Sequence, residues 1–376
     1  MIYLNHAATA HPRPARVLEA VARSLESPPQ EPGRSGFRDP LMDCRRAIAT
    51  LYGLPDPLRV VLTTSATLAC NQVIFGLALP PGSHMIASCL EHNSVLRPLR
   101  HLVAHHGCEL TVLAPGPDGR LSEDRFAEAL RPGTRLIACL HVSNVTGAIL
   151  PVEAIAAVAA EHGIGLLIDD AQGAGVVPLD AGRLPGRCYV VGAGHKGLMG
   201  PPGTGFLLLP EADGLRPFLH GGTGVHSDEP LQPKLLPHRL EAGTPNTCGF
   251  EGLCAGVLLV MERPSGAAGA HRQALSRRLL ERMPAPWRVI DSGVGDDLRG
   301  GVVSLVHPKR RPSEVGLALQ EIFGIETRWG LHCAPLAHRH LGTHPAGTLR
   351  VSVGETNSPD DIDNLLTALV AIEGLP

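Results

Sequence analysis

Seven short apolar runs alternate with amphipathic helical stretches between about residue 15 and residue 210, and this alternation constrains the fold more than any other feature. The runs lie at 59–62, 85–87, 110–113, 136–140, 166–168, 189–191 and 206–209. Strands separated by segments of helix length form mainly parallel sheets that helices cover. We therefore predict an α/β fold whose large domain contains a mainly parallel seven-stranded sheet.

The sequence also predicts a smaller second domain. Residues 210–250 contain many Gly and Pro residues and indicate a long, interfacial loop region. The elements predicted after this region are a helix near 250–263, strands at 302–306 and 349–353, and a helix at 359–372. We predict a large domain of residues 15–250 and a smaller α/β domain formed by residues 1–14 and 251–376.

Composition and charge argue against several classes of protein. The chain is 44% hydrophobic and 18% charged, which is typical of a compact globular protein. A formal net charge of −3 provides no basic excess for a nucleic acid or an anionic membrane, so we expect neither partner. The sequence shows no targeting segment and no apolar run long enough to span a bilayer, which favours a cytoplasmic location. The nine cysteines and 19 histidines lack the spacing of metal ligands, and we expect no metal site.

A lysine directly follows one of the predicted strands. Lys196, in the sequence Gly-His-Lys-Gly at 194–197, comes after the apolar run 189–191. A lysine at the end of a buried strand is unfavourable unless its charge has a function, and suitable surroundings make it a Schiff-base nucleophile. The alternative is a lysine that extends from a loop into solvent. The neighbouring residues have to decide between the two.

Three further strand ends carry residues that suit such a lysine. Asp169 follows the run 166–168, where a carboxylate can keep a pyridinium nitrogen protonated. Thr67 precedes a predicted helix at 68–79, where free backbone N–H groups can bind phosphate. His92 follows the second apolar run, where an imidazole could lie over a flat ring. Taken singly, the three are equally compatible with a turn aspartate, a helix cap and a surface histidine.

The motifs form an ordered series along the chain: YLNHAAT (3–9), EH (91–92), HVSNVTG (141–147), DDAQ (169–172), HK (195–196), EAGTPN (241–246) and RWGLHCAPL (328–336). This series resembles the fold-type I transferases that depend on pyridoxal 5′-phosphate (PLP). Within them it resembles the class V aminotransferase family, in the group that contains cysteine desulfurases and selenocysteine lyases. The resemblance implies the fold-type I architecture and PLP as the cofactor.

The resemblance also implies roles for single residues around the cofactor ring. Lys196 would hold PLP as a Schiff base and later move a proton. Asp169 would bind the pyridine nitrogen, and Gln172 would donate a hydrogen bond to the phenolic oxygen. His92 would stack on the ring and take part in catalysis. Asn144 would lie beside the phenolic oxygen and the substrate carboxylate.

The phosphate group would be bound by a second set of residues. The resemblance assigns this task to Thr67, the backbone of Ala66 and His195. Thr244 would reach the phosphate from the neighbouring subunit. This last assignment implies a homodimer with shared active sites, and it gives the long loop region a purpose.

Two arginines and one cysteine bear on the reaction. The resemblance implies that Arg350 binds the carboxylate of an amino-acid substrate through two parallel hydrogen bonds. Arg328 matches a second arginine of the active site. Cys333 matches the nucleophile that attacks the substrate sulfur, a role that needs an accessible and partly ionised thiol. Without the resemblance, either arginine could be a surface charge, and a single cysteine is more often structural.

The chain departs from the family pattern at several positions. Ala193 stands where many relatives have a hydroxyl residue, so one phosphate hydrogen bond should be missing and cofactor affinity should be somewhat lower. Ala66 can contribute only its backbone to the phosphate loop. The loop around Cys333 is short, as in the branch of the Suf-type desulfurases and selenocysteine lyases. Trp329 is bulky and could shape a pocket for a substrate other than free cysteine.

We therefore predict a PLP-dependent cysteine desulfurase that converts L-cysteine to L-alanine, forms a persulfide on Cys333 and passes the sulfur to an acceptor such as a protein. A selenocysteine lyase is a close alternative. Another alternative is a C–S lyase, aminotransferase or epimerase on the same scaffold, in which Cys333 is not catalytic. A binding or regulatory module is a third, but it would have no chemical need for Lys196, Asp169, His92 and Arg350 together.

Overall fold

The described residues form a larger sheet of seven strands, a smaller sheet of four strands and a separate two-stranded ladder, with helices packed around them. The computed structural model describes residues 1–28, 38–116, 120–210, 214–225, 227–290 and 299–375. The strands are β1 (Ile2–Tyr3), β2 (Val60–Thr63), β3 (His84–Ser88), β4 (Glu109–Leu113), β5 (Thr134–Leu140), β6 (Gly165–Asp169), β7 (Cys188–Ala193), β8 (Gly205–Leu208), β9 (Arg288–Val289), β10 (Val302–Val306), β11 (Ile325–Glu326), β12 (Arg328–Gly330) and β13 (Thr348–Ser352). The helices are α1 (Ala15–Glu26), α2 (Pro40–Leu51), α3 (Ala66–Gly76), α4 (Asn93–His106), α5 (Glu123–Glu128), α6 (Val152–Glu161), α7 (Thr247–Met261), α8 (Ala267–Glu281), α9 (Pro312–Phe323), α10 (Pro335–His340) and α11 (Pro359–Glu373).

The larger sheet has seven strands in the order β2-β8-β7-β6-β5-β3-β4. Neighbouring strands from β7 to β4 are parallel, whereas β8 runs antiparallel to both β2 and β7. The predicted mainly parallel seven-stranded sheet is confirmed. Since β2 is antiparallel to β8, it has the same direction as β7. The carboxyl ends of β2, β3, β5, β6 and β7 therefore lie along one edge of the sheet.

Both faces of this sheet are buried, as is usual for parallel sheets covered by helices. Alternate residues of each strand enter two separate cores. In β5, Ile137 and Cys139 join one core, and Leu136 and Ala138 join the other. Because both faces are apolar, the strands read as continuous apolar runs in the sequence, which is why they could be located there.

The smaller sheet is antiparallel, with the order β12-β13-β10-β9. The chain's first residues lie beside this sheet. Strand β1 pairs with β11 in the separate two-stranded ladder, and Asn5 bridges to Ser352 of β13. Leu4 belongs to the same core as Leu305, Leu349 and α11. The division into residues 15–250 and residues 1–14 with 251–376 stays a prediction.

Several elements differ from the sequence-based expectation. Strand β2, predicted at 59–62, begins at Val60 because Pro57–Arg59 forms a 3-10 turn. Helices α8, α9 and α10 were not predicted. The long loop region contains no helix or strand within 214–225 and 227–246, as predicted, while residues 211–213 and 226 lie outside the described part of the chain.

The described residues contain neither a membrane-spanning helix nor a cluster of metal ligands. None of the helices there is both long enough and apolar enough to cross a membrane. In the same part of the chain, no three His, Cys, Asp or Glu side chains are grouped as metal ligands would be.

Candidate active site

The predicted site residues meet at the carboxyl edge of the larger sheet. His92, Asn144 and Lys196 follow β3, β5 and β7, and Asp169 ends β6. These four strands are neighbours, so their ends surround one cavity of about 670 Å³. The cavity is lined by eleven of the twelve predicted residues: Ala66, Thr67, His92, Asn144, Asp169, Gln172, His195, Lys196, Arg328, Cys333 and Arg350.

Lys196 lies in a tight turn after β7. The N–H of Gly194 donates to the carbonyl of Thr204 (3.0 Å), and the N–H of Met199 donates to the carbonyl of Lys196 (2.9 Å). Burial lowers the pKa of the Lys196 amine to about 8, with Arg350 adding to the effect and Asp169 opposing it. Within the described residues the amine has no hydrogen-bond or ion-pair partner. A buried amine of this kind is readily deprotonated and can act as a nucleophile.

Asp169 is buried, with 6% of its surface exposed. Its Oδ1 accepts a hydrogen bond from the N–H of Ala171 (3.0 Å), and its Oδ2 accepts one from the hydroxyl of Ser94 (3.4 Å). These contacts fix the orientation of the carboxylate at the bottom of the cavity.

His92 caps the N-terminus of α4 through its side chain. Its Nδ1 accepts a hydrogen bond from the N–H of Ser94 (3.1 Å) and lies 2.8 Å from the Ser94 hydroxyl. Because Nδ1 is an acceptor, the neutral ring carries its proton on Nε2. Burial is the main cause of the lowered pKa of His92, and Lys196 lowers it further against the opposing effect of Asp169. Ser94, which sequence reasoning missed, thus contacts both His92 and Asp169.

The start of α3 has free backbone N–H groups at the cavity. The hydroxyl of Ser65 accepts a hydrogen bond from the N–H of Leu68 (3.1 Å), whereas no described residue accepts from the N–H of Ala66 or Thr67. Strand β8 passes so close that a Cβ added at Gly205 would lie 2.6 Å from the carbonyl carbon of Ser65. Only glycine leaves this loop in place.

His195 lies beside this loop and contacts the N-terminal segment. Its Nδ1 is 3.1 Å from the hydroxyl of Thr9, which donates to the carbonyl of His195 (3.0 Å). Arg13 donates to the same hydroxyl (3.0 Å). Burial lowers the pKa of His195 to about 4, with smaller effects of Lys196 and Arg13 in the same direction. Thr9 and Arg13 are further residues that sequence reasoning missed.

Two amide side chains are held in place and keep unused polar groups. Gln172 donates from Nε2 to the carbonyl of Ala7 (2.9 Å), which leaves its second N–H available. Asn144 donates from Nδ2 to the carbonyl of His332 (2.7 Å), and its Oδ1 is buried without a partner. Buried polar atoms without partners are rare, so this one indicates that a ligand completes the site.

Arg350 is a buried cation, with 4% of its surface exposed. It donates to the carbonyl of Asn144 (3.1 Å) and to Oδ1 of Asn5 (3.2 Å), but no described carboxylate pairs with it. Burial lowers the pKa of Arg350 to about 10, and Arg328, its cross-strand neighbour, adds to this effect. Burying an unpaired charge is costly, so the site favours an anionic ligand.

Cys333 is exposed at the mouth of the cavity, whereas seven of the other eight cysteines are buried and Cys248 is half-buried. Cys333 and His332 both have left-handed backbones, with φ of 58° and 48°. Such conformations cost on the order of 1–3 kcal/mol each in non-glycine residues and cluster at functional sites. The N–H of Asn93 stabilises the turn by donating to the carbonyl of Cys333 (2.8 Å).

Trp329 contacts a helix as well as the cavity. A Cβ added at Gly316 of α9 would lie 2.1 Å from Cε3 of Trp329, so the indole packs against that helix while the residue also lines the cavity. Ala193 ends β7 and lines the cavity, and the missing phosphate hydrogen bond stays a prediction.

Thr244 is exposed and does not line the cavity. The loop that carries it is anchored by Glu241, which sequence reasoning did not single out. Both carboxylate oxygens of Glu241 accept hydrogen bonds from the buried Arg45 (2.7 Å each), and one of them also accepts from the N–H of Leu62 (2.6 Å). The only sign of this anchoring role in the sequence is an acidic residue directly before Ala242-Gly243-Thr244.

Glu91 is a second buried acid that was quoted in a motif but given no role. Its Oε1 accepts hydrogen bonds from the hydroxyl of Ser88 (2.5 Å) and the N–H of Leu140 (3.0 Å). Burial raises the pKa of Glu91 to about 8. The protonated carboxyl therefore links the ends of β3 and β5 beside the cavity.

The aminotransferase class-V family model matches residues 2–365. The chain belongs to this family. Among curated members, a cysteine desulfurase of Klebsiella pneumoniae (strain 342) is 34% identical over 302 residues, covering 78% of this chain and 72% of the relative. A probable cysteine desulfurase of Methanothermobacter thermautotrophicus is 29% identical over 392 residues, covering 100% and 95%.

The fold of this class-V family member also matches solved structures. The apo structure of a cysteine desulfurase from Thermococcus onnurineus NA1 has a TM-score of 0.89 and 28% sequence identity, covering 100% of this chain and 95% of that one. The match extends over both sheets, and it confirms the predicted fold class of the fold-type I enzymes.

Proposed function

We propose that this protein is a PLP-dependent cysteine desulfurase that converts L-cysteine to L-alanine and forms a persulfide on Cys333. The observation that carries the proposal is the position of Cys333, an exposed thiol at the mouth of a cavity that also contains Lys196 and Arg350. The relatives named above are cysteine desulfurases, which supports the same reaction here.

The residues at the cavity fit PLP. The free N–H groups of Ala66 and Thr67, together with His195, suit its phosphate, since a helix N-terminus favours an anion. Asp169 suits the pyridine nitrogen, and the second N–H of Gln172 and the amide of Asn144 suit the phenolic oxygen. His92 makes its hydrogen bonds through Nδ1 at the edge of its ring, so they do not use the ring face, which suits stacking.

Five side chains would carry the reaction of the substrate: Lys196, Arg350, Arg328, Cys333 and His92. When bound, PLP supplies an electron sink that stabilises negative charge at the substrate Cα. Lys196 would hold the cofactor and, once its amine is free again, its lowered pKa would suit it to remove the proton from Cα. Arg350 binds the substrate carboxylate and Arg328 assists it.

Cys333 receives the sulfur. Its thiolate attacks the substrate sulfur as the bond between that sulfur and Cβ breaks. A sulfur–sulfur bond forms on Cys333, and the electron pair from the broken bond returns to the substrate carbon chain. Protonation of Cβ and return of a proton to Cα then yield alanine, and Lys196 and His92 are the nearby proton carriers for these two steps. The exposed position of Cys333 favours the desulfurase reaction over a C–S lyase, aminotransferase or epimerase reaction, in which Cys333 would have no role.

We further propose a homodimer with shared active sites. Thr244 lies outside its own chain's cavity, which suits a residue that serves a partner's phosphate site. The same loop region exposes apolar side chains that a partner could cover, including Leu231 (78% exposed) and Leu235 (74% exposed). Co-expression of Lys196→Ala and Thr244→Arg chains should restore activity, because one site of the mixed dimer then has both native residues.

The proposed reaction is tested by following alanine and sulfide release from L-cysteine, with and without dithiothreitol. Wild type should form both products, and Lys196→Ala and Cys333→Ala should form neither, while Cys248→Ala serves as the matched cysteine control. The visible absorbance of bound cofactor should persist in Cys333→Ala. Bound cofactor with unchanged activity in Cys333→Ala would refute the desulfurase and leave the C–S lyase, aminotransferase or epimerase. A parallel assay with L-selenocysteine separates the desulfurase from the selenocysteine lyase.

A further inference from the structure

The two segments that frame Cys333 carry no acidic residue. Residues 92–108 and 327–354 contain no Asp or Glu, although the whole chain has 36 acidic against 33 basic residues. These segments comprise α4 with its N-terminal cap, and the stretch from β12 through α10 to β13. The mouth of the cavity is thus positively charged on an overall acidic protein.

Helix α4 carries two of the positive charges. The hydrogen bond from the N–H of Asn93 to the carbonyl of Cys333 places the start of this helix against the thiol loop, and Asn93 also lines the cavity. Arg97 and Arg100 follow at four and seven residues and are exposed. Residues at this spacing share one helix face, so the two arginines lie on the same exposed side of α4.

The segment that contains Cys333 carries two more positive charges. Arg328 is exposed and lies across from Arg350 in the β12–β13 pair. Arg339 is exposed on α10, a helix that begins two residues after Cys333. We call Arg97, Arg100, Arg328 and Arg339 the basic rim.

The basic rim is not neutralised by the protein itself. No carboxylate in the described residues forms an ion pair with any of its four members, whereas exposed arginines elsewhere, such as Arg16 and Arg131, do form such pairs. The pKa values of His92 and His332 are lowered mainly by burial and then by groups that include Arg350, and Arg97 and Arg328 add smaller effects in the same direction.

We propose that the basic rim is a docking surface for an acidic protein that accepts sulfur from Cys333. The inference rests on the desulfurase activity proposed above. A partner whose acceptor thiol is surrounded by Asp and Glu complements the rim in charge, and such complementarity raises association rates and orients the encounter. The rim is confined to the two segments that meet at Cys333 and does not form a long track, which favours a protein over a nucleic acid.

The transfer itself conserves atoms and electrons. The acceptor thiolate attacks the outer sulfur of the Cys333 persulfide. A new sulfur–sulfur bond forms on the acceptor, the bond between Cys333 Sγ and the outer sulfur breaks, and the Cys333 thiolate leaves. No external oxidant or reductant is needed.

The probes are two synthetic peptides with one cysteine each, one flanked by Glu residues and one flanked by Lys residues, with dithiothreitol as the uncharged acceptor. Holoenzyme is supplied with L-cysteine, and kcat/KM for peptide persulfide formation is measured by mass spectrometry. At about 50 mM salt the acidic peptide should react about tenfold faster than the basic one. At about 500 mM salt the difference should largely vanish, because exposed charges are screened.

The variants are Arg97→Glu and Arg339→Glu, singly and together, with Arg288→Glu as the matched control. Arg288 is exposed and has no described ion-pair partner, and its strand β9 lies at the opposite edge of the smaller sheet from β12. The double variant should lose the preference for the acidic peptide and react faster with the basic one. Arg288→Glu should behave as wild type.

Alanine formation with dithiothreitol distinguishes a failure of the docking surface from a failure of the proposed desulfurase activity. If every variant keeps this activity while the double variant retains the wild-type preference for the acidic peptide, the docking surface is wrong and the desulfurase stands. If wild type itself makes no alanine, the proposed function fails first. Inhibition by a single-stranded oligonucleotide, with no preference between peptides, would also overturn the proposal in favour of a nucleic-acid surface.

Discussion

Replacing Lys196 with methionine should stabilise the cofactor-free protein at neutral pH. The amine's pKa falls from its usual 10.5 to about 8, mainly because of burial. At 1.36 kcal/mol per pKa unit, the charged amine costs the folded state about 3 kcal/mol at pH 7. With an unfolding entropy of roughly 2.1 cal/mol/K per residue, removing that cost should raise Tm by about 4 °C.

The stability gain of Lys196→Met over wild type should depend on pH. A folded pKa below the unfolded value penalises the folded state wherever both states are protonated, which is below pH 8. The penalty declines between pH 8 and 10.5, so the difference between variant and wild type should fall to about 1 kcal/mol at pH 10. Lys309→Met, at an exposed lysine, is the control.

The assay is thermal unfolding of the cofactor-free proteins at pH 7 and at pH 10. A Lys196→Met variant no more stable than Lys309→Met at pH 7 would show that the amine is not buried at a cost. A gain that stays constant with pH would show that the side chain's packing, and not its charge, is responsible.

Three further predictions concern neighbouring parts of the site. Glu241→Gln should lower the free energy of unfolding in urea by about 3 kcal/mol, because it leaves a buried arginine unpaired, whereas Glu262→Gln at an exposed pair should cost under about 1 kcal/mol; equal effects would contradict this. Gly205→Ala should weaken PLP binding about tenfold in an absorbance titration, since its Cβ meets the phosphate-loop backbone, while Gly221→Ala has room and should bind normally. Arg350→Lys should raise KM for cysteine about tenfold while the cofactor content stays at the wild-type level; an unchanged KM would remove its role in carboxylate binding.

The larger sheet could be predicted because its strands are buried on both faces. Runs such as 136–140 are apolar without interruption, and their spacing requires helical crossovers. The antiparallel direction of β8 left no such signal, because a short apolar run looks the same in either direction. The strands β1, β9, β11 and β12 have two or three residues each, too few to show a period.

The site could be predicted where its residues follow strands in known motifs. Lys196, Asp169 and His92 are of this kind, and the structure brings them to one cavity. Ser94 and Glu241 were missed because their importance lies in contacts across the fold, with Asp169 and with Arg45. A hydroxyl in the first turn of a helix or an acid in a loop has many ordinary uses, so the sequence alone does not distinguish them.

The central claim is that Cys333 receives sulfur from the substrate. Holoenzyme should be incubated with L-cysteine without any thiol reductant, alkylated and digested, and the cysteine peptides analysed by mass spectrometry. We expect the peptide containing Cys333 to gain one sulfur atom and the peptides with the other eight cysteines to gain none. The gain should disappear in Lys196→Ala. Alanine formation without added sulfur on Cys333, or sulfur on another cysteine instead, would contradict the central claim.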